Sequence, residues 1–199
     1  MTENEAMKRA LDLAMLGTGE VSPNPRVGAV ILKDGEKIGE GYHAKFGADH
    51  AEIEAIRNAG LDDYSGCTMV LNLEPCTHYG KTPPCTDKII ELNFSRVVIG
   101  MEDPNPEVAG NGIKKLRDAG IEVEAGLMRD ECMWLNRSFI KHIRTGMPYV
   151  ILKIAQSFDG NIASSEGESK WISSEESRRR SHILRAQVDA VLVGEGTVE

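Results

Sequence analysis

His50, Glu52, Cys76 and Cys85 are the residues of this chain whose types and spacing carry a chemistry. An imidazole and two thiolates are zinc donors, and together they fill three corners of a tetrahedron and leave the fourth for a water. Glu52 is a poor fourth ligand because it lies only two residues from His50, but it is well placed to take a proton from that water. Cys85 follows Pro84 at a predicted helix start, where the positive end of the helix dipole lowers a thiol's pKa and favours the thiolate a metal takes. Plainer readings stand beside this one. Cys76 and Cys85 alone are equally two inert buried thiols or a disulfide across the loop, and it is His50-Ala51-Glu52 upstream that favours a metal. Glu52 also fits as a capping glutamate, with Asp49 as N-cap of a helix over 49–60. Residues two apart on a helix point to nearly opposite sides, so His50 and Glu52 share a site only if His50 sits at the helix margin. Asp49 as N-cap puts it there. No further cysteine or histidine has convincing ligand spacing, although His78 is near enough in sequence to be a candidate.

The elements that must position these residues alternate along the chain. Met7, Ala10, Leu11, Ala14 and Met15 repeat at helical spacing and predict a helix over 5–16, ended by Gly17. Asn24 lies between two prolines in a loop over 22–26, which suits a turn and equally suits presenting an amide to a heterocycle's edge. Residues 27–32 read as a buried strand, Asp34-Gly35 as a hairpin turn and 37–43 as the partner strand. After the helix over 49–60 comes a strand over 67–73, apolar enough to be buried on both faces, then the cysteine loop and a helix from Cys85. Strands over 96–100 and 121–125 flank a helix over 110–119. Asp103-Pro104-Asn105-Pro106 is a rigid connection at a strand end, where ligands often sit in open α/β sheets. A long helix over 129–144 is expected to turn Cys132, Leu135, Phe139 and Ile143 inward, and Cys67 and Cys132 read as packing residues. The pattern is that of a three-layer α/β/α domain over residues 1–146.

Composition bounds the partners. The 199 residues carry 31 acidic and 23 basic side chains, a net charge of −8, which disfavours nucleic acid but leaves room for a small phosphorylated substrate. No apolar run approaches the roughly 20 residues that span a bilayer. The acidic start, Met1-Thr2-Glu3-Asn4-Glu5, lacks a signal pattern, and four cysteines are too sparse for a disulfide scaffold. The expectation is a cytoplasmic protein with reduced thiols and no membrane association.

A second domain is expected over 147–199: a strand over 149–155, a helix capped by Ser173 with Glu176 reaching back and carrying Ile183, Leu184 and Ala186, and a strand over 190–193. Gly194-Glu195-Gly196-Thr197 is a weak phosphate-loop signal and more simply a turn, and Arg178-Arg179-Arg180 reads as a solvated helix face rather than a phosphate clamp. Two strands and one helix cannot cover both faces of a parallel sheet, so this stretch is expected to be the incomplete opening of a larger domain without activity of its own. Its orphan strands should pair with something, stay partly disordered or promote self-association into a homo-oligomer.

A histidine, a glutamate two residues on, then Pro-Cys and a second cysteine is the pattern of zinc nucleobase deaminases, except that eight residues separate Cys76 from Cys85 where that pattern has two. The eight-residue gap, the run Asn24-Pro25-Arg26-Val27-Gly28 and the stretch from Glu74 to Cys85 are similar to the riboflavin-biosynthesis family that joins a pyrimidine deaminase to a pyrimidine reductase. Asp103-Pro104-Asn105-Pro106 is similar to it too, and the resemblance spans the whole chain. It implies a cytidine-deaminase-like domain followed by the incomplete start of a dihydrofolate-reductase-like α/β domain. It further implies zinc-dependent hydrolytic deamination of 2,5-diamino-6-(5-phosphoribosylamino)pyrimidin-4(3H)-one with release of ammonia. Carried over by position, His50, Cys76 and Cys85 hold zinc, Glu52 carries the proton, and Asn24, His43, His78 and Lys81 surround the substrate. Lys81 stands where arginine is usual, which keeps the charge and loses the planar fork. In the second domain Ala155, Trp171 and Thr197 match positions near NADPH, and Ser169 and Arg185 match substrate positions. Two rivals remain. One is another nucleobase or nucleoside deaminase, with the acidic charge and the wide cysteine gap counting against a tRNA-acting one. The other is a non-catalytic zinc module, which would close its site with four protein ligands and have no use for Glu52.

Overall fold

The strands Gly28–Lys33 (β1) and Cys67–Leu73 (β3) are almost wholly buried, as their continuous apolar runs require. They are the centre of a five-stranded sheet seen in a computed structural model that describes residues 1–79, 83–106 and 108–197. With Glu36–Tyr42 (β2), Arg96–Met101 (β4) and Glu122–Ala125 (β5), the order is β2-β1-β3-β4-β5. β1 runs antiparallel to both of its neighbours, whereas β3, β4 and β5 are parallel. The β1–β2 turn places Asp34 at φ 50° and Gly35 at φ 76°, the left-handed pair that a two-residue hairpin favours.

Alternation along the strands sorts the helices into two layers. Ala29, Ile31, Met69, Leu71, Val97 and Ile99 pack with Ala51 and Ala55 of Ala51–Ala59 (α2), Ile89 of Cys85–Glu91 (α3) and Leu116 of Asn111–Asp118 (α4). Val30, Leu32, Val70 and Val98 pack on the other face with Met7, Ala10 and Leu13 of Glu3–Met15 (α1) and Cys132 of Arg129–Leu135 (α5). Ile140 of Arg137–Thr145 (α6) joins this second cluster. The result is the α/β/α layering expected from the sequence.

Three local expectations are corrected. Helix α1 starts at Glu3 rather than Glu5, because Thr2 caps it: its hydroxyl accepts from the Glu5 N–H while Glu5 accepts from the Thr2 N–H. Helix α2 starts at Ala51 with His50, not Asp49, in the N-cap position; the Asp49 carboxylate is drawn instead to Arg57. The long helix over 129–144 is broken at Asn136, whose side chain binds the backbone of Arg26. The break rotates the second half, so Ile140 is buried in place of Phe139 and Ile143, and Ile143 is 38% exposed.

The chain divides into two units, Met1–Tyr149 and Val150–Glu199. The second contains the helix Glu175–Ala186 (α7) and a 3-10 turn over Glu195–Thr197. Ser174 is its N-cap, accepting from the Ser177 N–H, so the cap is one residue later than Ser173; Glu176 reaches forward to Arg179 and Arg180 instead of back. Neither 149–155 nor 190–193 is a strand. A strand needs a ladder, and among the described residues neither stretch finds one; Leu152 and Leu192 are 82% and 98% exposed. Among the described residues no helix is long and apolar enough to cross a membrane.

Arg9 of α1 grips Glu40 of β2 through two hydrogen bonds of 2.9 and 2.6 Å, tying the first helix to the edge strand. This grip, helped by Lys37, holds the Glu40 carboxyl down at about 2 from an ordinary 4.5. The stabilisation is therefore complete above the ordinary value and lost as pH falls through the folded one. Glu40→Gln should lower stability by about 1 kcal/mol near neutral pH. In urea denaturation across pH, the gap from wild type should close between pH 4.5 and about 2.

Candidate metal centre

The C-terminal end of β3, the start of α2 and the start of α3 meet at one point. Helix α2 lies hard against β2: a Cβ at Gly41 would sit 2.5 Å from the Ala55 nitrogen, so only glycine permits this approach. His50 takes an extended backbone (φ −72°, ψ 157°) just ahead of the helix, which resolves the problem of two residues pointing to opposite sides. Glu52, one turn position inside, makes no cap and is 3% exposed. Where β3 ends, Cys76 is tied to the first turn of α3. Its carbonyl accepts from the Thr86 N–H at 3.2 Å and the Thr86 hydroxyl at 3.1 Å, and its sulfur accepts from the Cys85 N–H at 3.3 Å.

His50 Nδ1 lies 3.2 Å from Cys85 Sγ and 3.6 Å from Cys76 Sγ, and the three donor atoms fall within 4.8 Å of one another. Zinc–nitrogen and zinc–sulfur bonds of normal length in a tetrahedron separate ligands by about 3.5–3.8 Å, so the triangle has the size for this ion. Its protonation chemistry fits too. Cys76 is driven down to about 4 by the hydrogen bond from Cys85 and by His50, while Cys85, as donor to Cys76 and buried, is pushed up. The hydrogen bond with Cys76 raises His50 to about 9. Without a cation the two sulfurs thus share one negative charge, and a divalent ion is what allows both to ionise. Glu52 is beside them: burial raises its pKa first, the Cys76 charge raises it further, and His50 opposes both. Among the described residues the donor group contains no fourth member, His78 included.

The remaining expected positions divide. Asn24 Nδ2 is 3.1 Å from His43 Nε2, and the ring of buried His43 stands edge-on to that of His50 with centroids 5.7 Å apart. His78 is exposed, and near enough to Asp103 for its charge to favour an aspartate that burial pushes up. Lys81 lies outside the described residues. In the second unit Ala155, Ser169, Trp171 and Arg185 line a single concavity of about 280 Å³, whose wall also includes Arg178, its guanidinium 4.1 Å over the Trp171 ring. Arg179 and Arg180 are exposed, as expected of a solvated face, and Arg178 is not. The Thr197 side chain lies outside the described residues.

Glu74 escaped the sequence reading as a positioning residue. Its buried carboxylate accepts four backbone N–H groups: Asp103 at 2.9 Å and Gly110 at 3.0 Å on Oε2, Gly112 at 2.8 Å and Ile113 at 3.1 Å on Oε1. The signal was available: an acid at the end of an apolar strand must find donors if it is buried.

Residues 1–101 match the model of the cytidine and deoxycytidylate deaminase zinc-binding region. The chain belongs to that family. Residues 148–199 match the RibD C-terminal domain. The chain is 50% identical over 198 residues to the riboflavin biosynthesis protein RibD of Escherichia coli, covering all of this chain and 54% of that protein. It is likewise 50% identical to a diaminohydroxyphosphoribosylaminopyrimidine deaminase/5-amino-6-(5-phosphoribosylamino)uracil reductase from Thermotoga maritima, with a TM-score of 0.93 over 98% of this chain and 56% of that one. Acinetobacter baumannii RibD is 45% identical, with a TM-score of 0.89 over 98% of this chain and 55% of its own. The chain thus spans about half the length of the relatives it matches.

Replacing Cys85 by serine exchanges a thiolate for a hydroxyl that zinc holds poorly. Dialysis against a chelator followed by metal analysis should show retention weakened more than about 100-fold. A Cys85→Ser protein that kept its zinc would remove this sulfur from the ligand set.

Proposed function

We propose that this chain carries the deaminase of riboflavin synthesis, removing an amino group hydrolytically from 2,5-diamino-6-(5-phosphoribosylamino)pyrimidin-4(3H)-one. The observation that carries this reading is the convergence of three zinc donors with a buried carboxylic acid beside them. His50, Cys76 and Cys85 would hold the ion, His50 through the Nδ1 that lies near both Sγ atoms. Zinc, when bound, supplies the Lewis acidity that makes a water nucleophilic near neutral pH. Glu52 moves the protons: its carboxylate takes one from the attacking water and passes it to a ring nitrogen of the pyrimidine, then takes the second from the added hydroxyl as that becomes the ring carbonyl and gives it to the departing amino group, which leaves as ammonia. Its burial suits this work, because a carboxyl whose pKa is raised holds a proton more readily. Asn24, His43, His78 and Lys81 are the positions assigned around the substrate. The acidic net charge favours a small substrate over nucleic acid.

The deaminase domain is assigned to residues 1–146 and the opening of an NADPH-dependent reductase to 147–199. In the latter, Ala155, Trp171 and Thr197 lie on the cofactor side and Ser169 and Arg185 on the substrate side. That four of these five line one concavity supports the assignment.

A closed zinc module is the weaker reading, because among the described residues no fourth ligand completes the group. Glu52→Gln separates the two. It should keep about one zinc per chain and lose ammonia release by at least about 1,000-fold, measured with the phosphorylated diaminopyrimidine. Normal turnover by that variant would sink the proposed mechanism.

A further inference from the structure

The loop that carries Asn24 is held from across the molecule. The backbone N–H of Arg26 donates to Asn136 Oδ1 at 2.8 Å, and Asn136 Nδ2 donates back to the Arg26 carbonyl at 2.9 Å. The same carbonyl accepts from Asn72 Nδ2 at 3.0 Å, while Asn72 Oδ1 accepts from the Gly28 N–H at 2.8 Å. Both asparagines are buried, Asn136 at 1% and Asn72 at 0% exposure. The Arg26 side chain adds a third tie, donating to the Leu135 carbonyl at the end of α5 and to Thr18. The break between α5 and α6 is thus the place where this loop docks, with the Asn136 amide as its centre.

Asn24 hangs from that dock, and it shares a hydrogen bond with His43, whose own backbone N–H donates to the Val27 carbonyl at 3.0 Å. His43 Nδ1 faces the Asp49 carbonyl at 3.0 Å. A carbonyl only accepts, so the proton of the neutral ring is on Nδ1, and Nε2 is left to accept from Asn24 Nδ2. This fixes the Asn24 amide: its carbonyl oxygen and second N–H remain for a ligand, a donor–acceptor pair suited to the edge of an aminopyrimidine.

We propose that Asn136 is a positioning residue for substrate recognition, acting 110 residues away through the Arg26 backbone to orient the Asn24 amide beside the metal centre. It touches neither metal nor substrate. The inference rests on the deaminase reading above, and it predicts an effect on substrate affinity rather than on the chemical step.

The test is a double-mutant cycle on the full chain with its zinc. Asn136→Ala should raise KM for the phosphorylated diaminopyrimidine about tenfold, while kcat per bound zinc stays within about twofold. In an Asn24→Ala background the same change should raise KM no further, because the amide it orients is gone. A general loss of packing would lower the active fraction, and with it kcat, in both backgrounds alike. An unchanged KM, or an equal rise in both backgrounds, overturns the proposal. If Asn136→Ala fails to fold, Asn136→Asp keeps an acceptor for the Arg26 N–H and replaces the donor to its carbonyl with a second carboxylate oxygen, and the same criteria apply. Should the unaltered chain release no ammonia, the deaminase reading fails and the positioning role is decided by NMR. The 15N shift of His43 Nε2 should then move in Asn136→Ala to its value in Asn24→Ala, and a shift that stays at the wild-type value refutes the role.

Discussion

Two adjacent sulfurs that resist ionising together, one buried and one half-buried, are the constraint on which this structure turns. Cys76 and Cys85 are pressed against each other and against His50 by backbone that a metal ion does not supply: the end of β3, the first turn of α3 and the margin of α2. Each of those three segments is fixed by something larger. β3 is central in the sheet, α3 packs Ile89 into the core, and α2 is drawn onto β2 by glycines that let backbone meet backbone. The opposing pKa shifts of the two thiols are the electrostatic record of that placement. A site assembled by folding in this way presents its donors to an arriving cation at little further conformational cost.

The ends of the sheet pose a second problem, because chain leaving a strand loses its ladder partners and still buries polar backbone. Three side chains supply the missing partners. Glu74 gathers four N–H groups from the 103–113 region, Asn72 meets the polar backbone of residues 26 and 28, and Asn136 meets that of residue 26. Buried polar groups of this kind are tolerable when their atoms find partners, and each of these oxygens and amide nitrogens has one. Their effect is to give irregular loops near the metal centre the fixed geometry that regular elements have elsewhere.

What was legible in the sequence follows from the range of the forces involved. The hairpin at Asp34-Gly35, the buried run of β3 and the layered alternation are local patterns, and they read correctly. The three donors were legible because metal coordination admits few residue types, and the eight-residue loop between Cys76 and Cys85 resembled a known arrangement. The break at Asn136 was not legible: its cause is a hydrogen bond to Arg26, and no helical periodicity registers a partner that far away. Asp49 looked like a cap because the capping rule weighs only neighbours, whereas Arg57 competes for its carboxylate. The stretches 149–155 and 190–193 have strand-like composition, but β propensity expresses packing against neighbouring strands, and without that ladder it produces no strand.

In the function proposed above, metal placement and ligand recognition share β3 and otherwise rest on different elements. The donor triangle hangs on β3, α2 and α3, whereas Asn24 hangs on a loop bolted to the α5–α6 junction and to Asn72. The two supports share β3, which carries Asn72 and leads to Cys76, and they meet again at the ring of His43, edge-on to His50 and hydrogen-bonded to Asn24. A division of this kind has a consequence for how such a fold diversifies. The loop over 22–26 and its Asn136 anchor can be rebuilt to face another heterocycle without moving a sulfur, because the α5–α6 junction carries none of the three donors. The reverse does not hold. A shift of α2 displaces His50 and Asp49 together, and the Asp49 carbonyl is what sets the proton on His43. Recognition therefore depends on the metal scaffold, while the metal scaffold does not depend on recognition.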